Sequence, residues 1–205
     1  MARSIAKDHG DKRHAILKTA AAFFANTGYD RAAMSQLAIA CGVSKASIYH
    51  YYTNKETLLF DILHQHLDEL LDVIKTQDMT GKDAEANLHG LVGALLDAYR
   101  GADAEHRLQL EATRYLPSQN QKDLADIQRQ IVTVFSDAVR AVNPELFMTG
   151  RADLRSVTMS LFGMLNWFYL WHQPTKGLSR AQYAQLATDI LVGGLDKLTI
   201  ASHVK

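Results

Sequence analysis

Three groups of residues in this chain have the types and spacing that chemistry requires, and they point in different directions. Asp61, His64 and Asp68 lie three and four residues apart, so a helix would carry them on one face, where they could ligate a metal. A helical metalloenzyme needs a second matching set, such as the paired Glu-x-x-His segments of di-iron bundles. The sequence holds none, and a solvated helix face accounts for these residues more simply. Cys41 stands among apolar positions and reads as a small core residue rather than a nucleophile. As the one cysteine it cannot form an intrachain disulfide, which fits a reducing compartment. No G-x-S-x-G, Walker-type or dinucleotide-binding fingerprint occurs. The expectation is a chain that is not an enzyme and carries no metal or cofactor of its own, against the alternative of a helical-bundle enzyme.

The third group, Ser44 to Lys55, can recognise a polyanion. Lys45, Tyr49, Tyr51 and Lys55 carry donors that reach phosphate oxygens, and Ser44, a natural N-cap, sets the positive end of a helix dipole beside them. Ala46, Ser47 and His50 are the candidates to face base edges. None is an Arg, Asn or Gln able to make a bidentate base contact, so sequence preference should lean on thymine methyl groups and on DNA shape. The charge distribution agrees. Residues 1–55 carry eight Lys or Arg against three Asp or Glu (+5), and residues 56–205 carry fourteen against nineteen (−5), so a net charge of zero conceals one basic end.

The elements that must position these residues are helical. Apolar residues recur at i, i+3, i+4 throughout, and alternating runs bounded by tight turns are absent, so the fold class is all-α. Helices are predicted near 9–27, 34–41, 45–51, 54–78, 83–101, 103–115, 119–141, 151–172 and 179–201, about nine in all, with Pro117, Pro144 and Pro174 between them. The first should close at Gly28, where a residue without Cβ adopts the left-handed cap and lets Tyr29 fold back on the helix. Met34 to Glu56 reads as helix, tight turn at Gly42, short helix and a new helix start. Ala38 is small where two helices cross, Ile48 and Tyr52 face the core, and Thr53 to Glu56 has the form of a capping box.

With 205 residues and 47% hydrophobic content the chain can bury a large core. Its longest apolar stretch, Leu161 to Trp171, is interrupted by Asn166 and falls short of the roughly 18 residues of a membrane span. The opening MARSIAKDHGDKRH has no apolar core for a secretory signal, so a soluble cytoplasmic protein is expected, with no membrane partner. Leu161, Phe162, Met164, Leu165, Phe168 and Leu170 make the helix over 151–172 apolar almost all round, which calls for cover on several sides. Gly193 and Gly194 weaken the last helix yet allow close backbone approach, so these two helices are expected to form a four-helix homodimer interface. Asn166, Trp167 and Trp171 suit an apolar or aromatic effector with a polar anchor, and Arg107, Arg114 and Tyr115 could meet an anionic part of it.

The run FFANTGYDRAAMSQLAIACGVSKASIYHYYTNKETLL resembles the DNA-binding domain of the TetR family, in its phenylalanine-rich first helix, its F-x-x-x-G-Y ending and its G-V-S-K-x-x-I-Y-x-x-Y-x-x-K-E-x-L core. The match covers about residues 11 to 60. It implies a DNA-binding domain over 1–55 and an effector-binding and dimerisation domain over 56–205. Tyr49 and Lys55 would contact phosphate and Tyr52 would be a core aromatic. Two residues depart from the pattern: Tyr51 stands where histidine is common, and Ala33 where Ser or Thr often caps the second helix. The resemblance further implies a repressor that binds double-stranded operator DNA as a dimer. Its two recognition helices would meet major grooves about 34 to 36 Å apart, and an effector acting through the helix over 54–78 would release it. The segments RYLP, GMLNWFYLWHQP and GLSRAQYA are similar to family members that control fatty-acid, steroid-side-chain and phenylacetate degradation, most of all the last. The implied inducer is phenylacetyl-CoA or a related acyl-CoA; a different apolar effector is the alternative. An architectural DNA-binding protein would not need the aromatic-rich residues beyond the basic end.

Overall fold

The computed structural model describes residues 2–80, 83–149, 152–173 and 175–198, with side-chain environments from residue 12 onward. Among these residues the chain is all-helical, with one isolated bridge between Gln173 and Lys176. The order is α1 (Ala2–Thr27), α2 (Met34–Ala40), α3 (Lys45–Tyr51), α4 (Lys55–Lys75), α5 (Ala84–Ala98) and α6 (Asp103–Glu111), then a 3-10 turn at Thr113–Tyr115. There follow α7 (Ser118–Val142), α8 (Pro144–Met148), α9 (Leu154–Asn166), α10 (Phe168–Trp171) and α11 (Arg180–Leu195).

Two departures from the predicted helices have clear causes. Pro144 opens α8 instead of merely separating its neighbours. A proline in the first turn sacrifices only an amide that would be unpaired anyway, and Asn143 caps the helix by accepting from the Leu146 amide at 3.2 Å. The long helix expected over 151–172 breaks at Trp167 into α9 and α10. There the Tyr183 hydroxyl donates to the Met164 carbonyl at 3.0 Å, the acceptor that the amide of residue 168 would use in an unbroken helix. The predicted start at 151, the end at 201 and the break at Pro174 lie outside the described residues.

The chain forms two compact units, Met1–Asp68 with Gly101–Ile127, and Glu69–Arg100 with Gln128–Lys205. In the first, α1 packs on α2 and α6, and α2 on α3. Its core contains Leu17, Phe24, Leu37, Ile48, Leu58, Leu59, Leu63 and Leu108, all buried. Burial of each such side chain contributes on the order of 1.5–3 kcal/mol. Buried polar groups also occur: Glu105 receives the Lys18 ammonium at 2.9 Å, and His66 and His106 are both enclosed.

In the second unit α11 packs on α5 and α9. Leu88, Leu91, Val92, Leu95 and Leu96 of α5 are fully buried, and Tyr183, Ala184, Ala187, Leu191 and Leu195 of α11 are buried with them. Phe135 and Phe162 meet edge to face at 5.0 Å. Arg180 ties the start of α11 to the end of α5 by donating to the Leu96 carbonyl at 3.1 Å.

Candidate nucleic-acid interface

The turn between α2 and α3 is made by backbone geometry. Gly42 has φ +64°, and a Cβ there would meet open space, so the left-handed conformation and not crowding is what calls for glycine. The Val43 amide reaches back to the Ala38 carbonyl at 3.0 Å, closing a Schellman-type end to α2. Ser44 then caps α3, accepting from the Ser47 amide at 3.0 Å. Ala33, at the start of α2, has no side-chain cap.

Helical spacing sorts α3 into two faces. Ile48 and Tyr52 are buried, while Lys45, Ala46, Tyr49 and His50 are exposed and Ser47 and Tyr51 half-buried. The Lys45 ammonium lies 5.9 Å from the Tyr49 ring centre, and His50 meets Tyr51 edge to face at 5.7 Å. The structure therefore gathers Ser44, Lys45, Ala46, Ser47, Tyr49, His50 and Tyr51 on one short helix and its cap. An open cleft beside it is lined by Ser47, Tyr51 and Cys41 together with Lys12 and Thr19 of α1. Cys41 is half-buried, and burial raises its thiol pKa, keeping it protonated.

Tyr52 locks the end of α3. Its hydroxyl donates to Asp61 Oδ2 at 2.7 Å, and the Arg13 guanidinium donates to the same oxygen at 2.5 Å, joining α1, α3 and α4. Burial first, then Asp61, holds the Tyr52 phenol above its ordinary pKa, so it remains a donor. The carboxylate considered for a metal is thus committed to Arg13 and Tyr52, while His64 and Asp68 pair with each other at 2.8 Å.

One expectation needs correction, the cap of α4. The cap expected at Thr53, within a box closed by Glu56, is instead Asn54, whose Oδ1 accepts from the Thr57 amide at 2.8 Å. Asn is the stronger N-cap residue of the two, which accounts for the choice between adjacent candidates. Lys55, expected to reach a phosphate, is turned onto the protein's own backbone. Its ammonium donates to the carbonyls of Tyr29 and Asp30 at 3.0 Å each and of Ala32 at 3.4 Å, with the Tyr29 ring centre 4.7 Å away. Three acceptors match the three protons of an ammonium.

The six residues considered for an effector fall three in each unit. Arg107 is exposed on α6 and pairs with Glu111 at 3.0 Å. Arg114 donates to the Tyr115 hydroxyl at 3.2 Å and lies 5.0 Å from its ring centre, and Tyr115 in turn lies against Tyr29. In the other unit, Asn166 Oδ1 accepts from the Tyr99 hydroxyl at 2.9 Å. Trp167 and Trp171 are 57% and 52% exposed, which places most of their apolar surface outside the unit's own core.

Residues 16–62 match the family model of bacterial regulatory proteins, tetR family, and residues 81–195 match the tetracyclin repressor-like C-terminal domain. The chain belongs to the TetR family. It is 32% identical over 95 residues to the HTH-type transcriptional repressor KstR2 of Rhodococcus jostii (strain RHA1), covering 46% of this chain and 45% of the relative. In such alignments the chain spans about half the length of the curated relatives it matches. A TetR-family transcriptional regulator from Bordetella parapertussis 12822 has a similar structure, with TM-score 0.82 and 29% identity over 92% of this chain and 98% of that one. AibR, solved with isovaleryl coenzyme A and operator DNA, shares the fold with TM-score 0.74 at 24% identity, covering 88% of this chain and 98% of AibR. The TetR family and these regulators are not enzymes. Among the described residues no helix is long and apolar enough to cross a membrane.

The sequence of this TetR-family chain did not disclose what α1 contributes. Lys12 lines the cleft beside α3 and Arg13 holds Asp61. The signal available was the excess of Lys and Arg in residues 1–55, which does not single out either side chain.

Proposed function

We propose that this chain is a one-component cytoplasmic repressor that binds a pseudo-palindromic operator as a homodimer and is released by an acyl-CoA thioester. Phenylacetyl-CoA is the first candidate. The observation that carries the DNA reading is the division of α3, with Ile48 and Tyr52 buried and Lys45, Ala46, Tyr49 and His50 exposed around a Ser44 cap. Ser44, Lys45, Tyr49 and Tyr51 contact phosphates, whereas Ala46, Ser47 and His50 face the bases. Lys55 acts by holding the α1–α2 connection. Residues 1–55 form the DNA-binding part and 56–205 the effector and dimer part.

Dimerisation through α9 to α11 is supported by apolar side chains that the unit leaves uncovered. Leu186 and Ile190, one turn apart on α11, are 40% and 54% exposed, and Gly163 and Gly193 have open space where a Cβ would stand. Asn166, Trp167 and Trp171 supply an amide and two indoles to the acyl group of the effector. The acyl-CoA class is supported by AibR, a protein of the same fold seen with isovaleryl coenzyme A.

Fluorescence anisotropy on the DNA flanking the protein's own gene, at stated salt, tests both parts. Tight binding released by phenylacetyl-CoA and not by free phenylacetate is the expected result. Binding indifferent to that thioester but released by isovaleryl-CoA would move the effector within the class. Absence of salt-sensitive binding would remove the repressor reading.

A further inference from the structure

Four side chains in the first compact unit form a continuous stack that the DNA-contact surface does not include. The Lys55 ammonium is 4.7 Å from the Tyr29 ring centre, the Tyr29 and Tyr115 rings are 5.1 Å apart at 37°, and the Arg114 guanidinium is 5.0 Å from the Tyr115 ring centre. Tyr29 is the hub. It is only 6% exposed, meets Phe24 edge to face at 5.3 Å, and its buried hydroxyl has no hydrogen-bond partner among the described residues. A phenol buried with an unsatisfied hydroxyl is held by its ring contacts, because no hydrogen bond anchors it. Two of those contacts come from distant parts of the chain: Lys55 opens α4, and Tyr115 closes the 3-10 turn after α6.

We infer that Tyr115 is a positioning residue for operator binding: by bracing the Tyr29 ring it fixes the Lys55 clamp, so the turn after α6 sets the geometry of the α1–α2 connection and of the first turn of α4. This rests on the DNA-binding reading above. The clamp is specific in its geometry. Lys55 reaches three carbonyls within the four residues Tyr29 to Ala32, and this connection determines where α2, and hence α3, begins. Tyr115 itself is 38% exposed, beside an open cleft that Arg31, Glu111 and Gly28 also line. Its truncation therefore removes a brace without excavating the core. Without a ring at this position Tyr29 is free to shift, and the cation that it covers shifts with it.

The test uses the full-length protein on operator DNA identified as above. Tyr115→Ala should weaken affinity by about three- to tenfold, the scale of a partly desolvated cation–π and ring contact. Tyr115→Phe should restore it, because the ring and not the hydroxyl does the bracing. The slope of log affinity against log salt should be the same for Tyr115→Ala as for wild type, since the same phosphates are neutralised. Tyr115→Ala combined with Lys55→Ala should cost less than the two separately, because both act on one clamp. Helicity and oligomeric state, followed by circular dichroism and sedimentation, should not change. Wild-type affinity in Tyr115→Ala, failure of Tyr115→Phe to restore binding, a flattened salt slope or strict additivity with Lys55→Ala would each overturn the inference. Lack of salt-sensitive binding by the wild type would instead strike the regulator reading on which it rests.

Discussion

Exposed aromatic side chains occur both on α3 and on α10, and their surroundings set them to opposite uses. On α3, Tyr49 is 43% exposed and lies beside the Lys45 ammonium, so its ring is flanked by a cation and ends in a hydroxyl. On α10, Trp171 is 52% exposed and packs against Phe168 and Tyr183, with Leu170 exposed next to it. Aromatic area next to exposed donors suits a hydrated polyanion, whereas aromatic area continuous with aliphatic side chains is stabilised by excluding water. Exposure alone does not distinguish the two surfaces; the groups within a few ångströms do.

The strongest way to break this comparison is to charge the apolar side. Ile190→Asp places a carboxylate where the proposed dimer would desolvate it, at a cost of about 3 kcal/mol or more per interface. Sedimentation should show monomers at concentrations where the wild type is dimeric, with helicity unchanged, and persistence of the dimer would place the interface elsewhere.

The next effect belongs to the unit that carries α3. His66 is 4% exposed, and burial, followed by His106 and Lys18, pushes its pKa from 6.5 down to about 3. Above pH 6.5 the ring is neutral in both folded and unfolded chains, and its contribution to stability is fully present. As pH falls from 6.5 towards 3, the unfolded chain takes up a proton that the folded one refuses, so stability is lost. Between pH 7.5 and pH 5 the loss should be roughly 2 kcal/mol. Thermal melts of wild type and His66→Gln should converge on acidification, and parallel curves would show that another group is responsible.

The smallest effect separates two lysines within α3 and α4. Lys45→Ala and Lys55→Ala should each weaken binding to all DNA sequences alike, by about tenfold. Only Lys45→Ala should lower the salt slope, by about 0.9 for each phosphate that is no longer neutralised. Equal slopes for the two variants would erase the distinction between a lysine that meets DNA and one that holds the backbone.

Much of α2, α3 and the turn between them was legible in the chain because its signals are local. Gly42, Ser44 and the spacing of Ile48 and Tyr52 each act within a few residues, and the turn, the cap and the two faces of α3 follow from them. Gly28 was legible for the same reason: its φ of +84° and the return of Tyr29 onto Phe24 are properties of one helix end. Legibility failed where a side chain had several local options. Asn54 and Thr53 are adjacent cap candidates, and the T-x-x-E spacing pointed to Thr53 although Asn is the stronger cap residue.

What the sequence determined by itself is therefore the helical class, the helix-turn-helix and its outward residues, since periodicity and capping are short-range and strong enough to survive without tertiary context. Tertiary structure alone decided the roles that depend on partners distant along the chain. Lys55 binds carbonyls some 25 residues away, Asp61 binds Arg13 across 48 residues, and the Tyr183 hydroxyl takes the Met164 carbonyl at the break between α9 and α10. A lysine, an aspartate and a tyrosine have no intrinsic preference among such partners. Packing selects the acceptor each one reaches, because a buried polar group left without a partner costs more than a hydrogen bond gains.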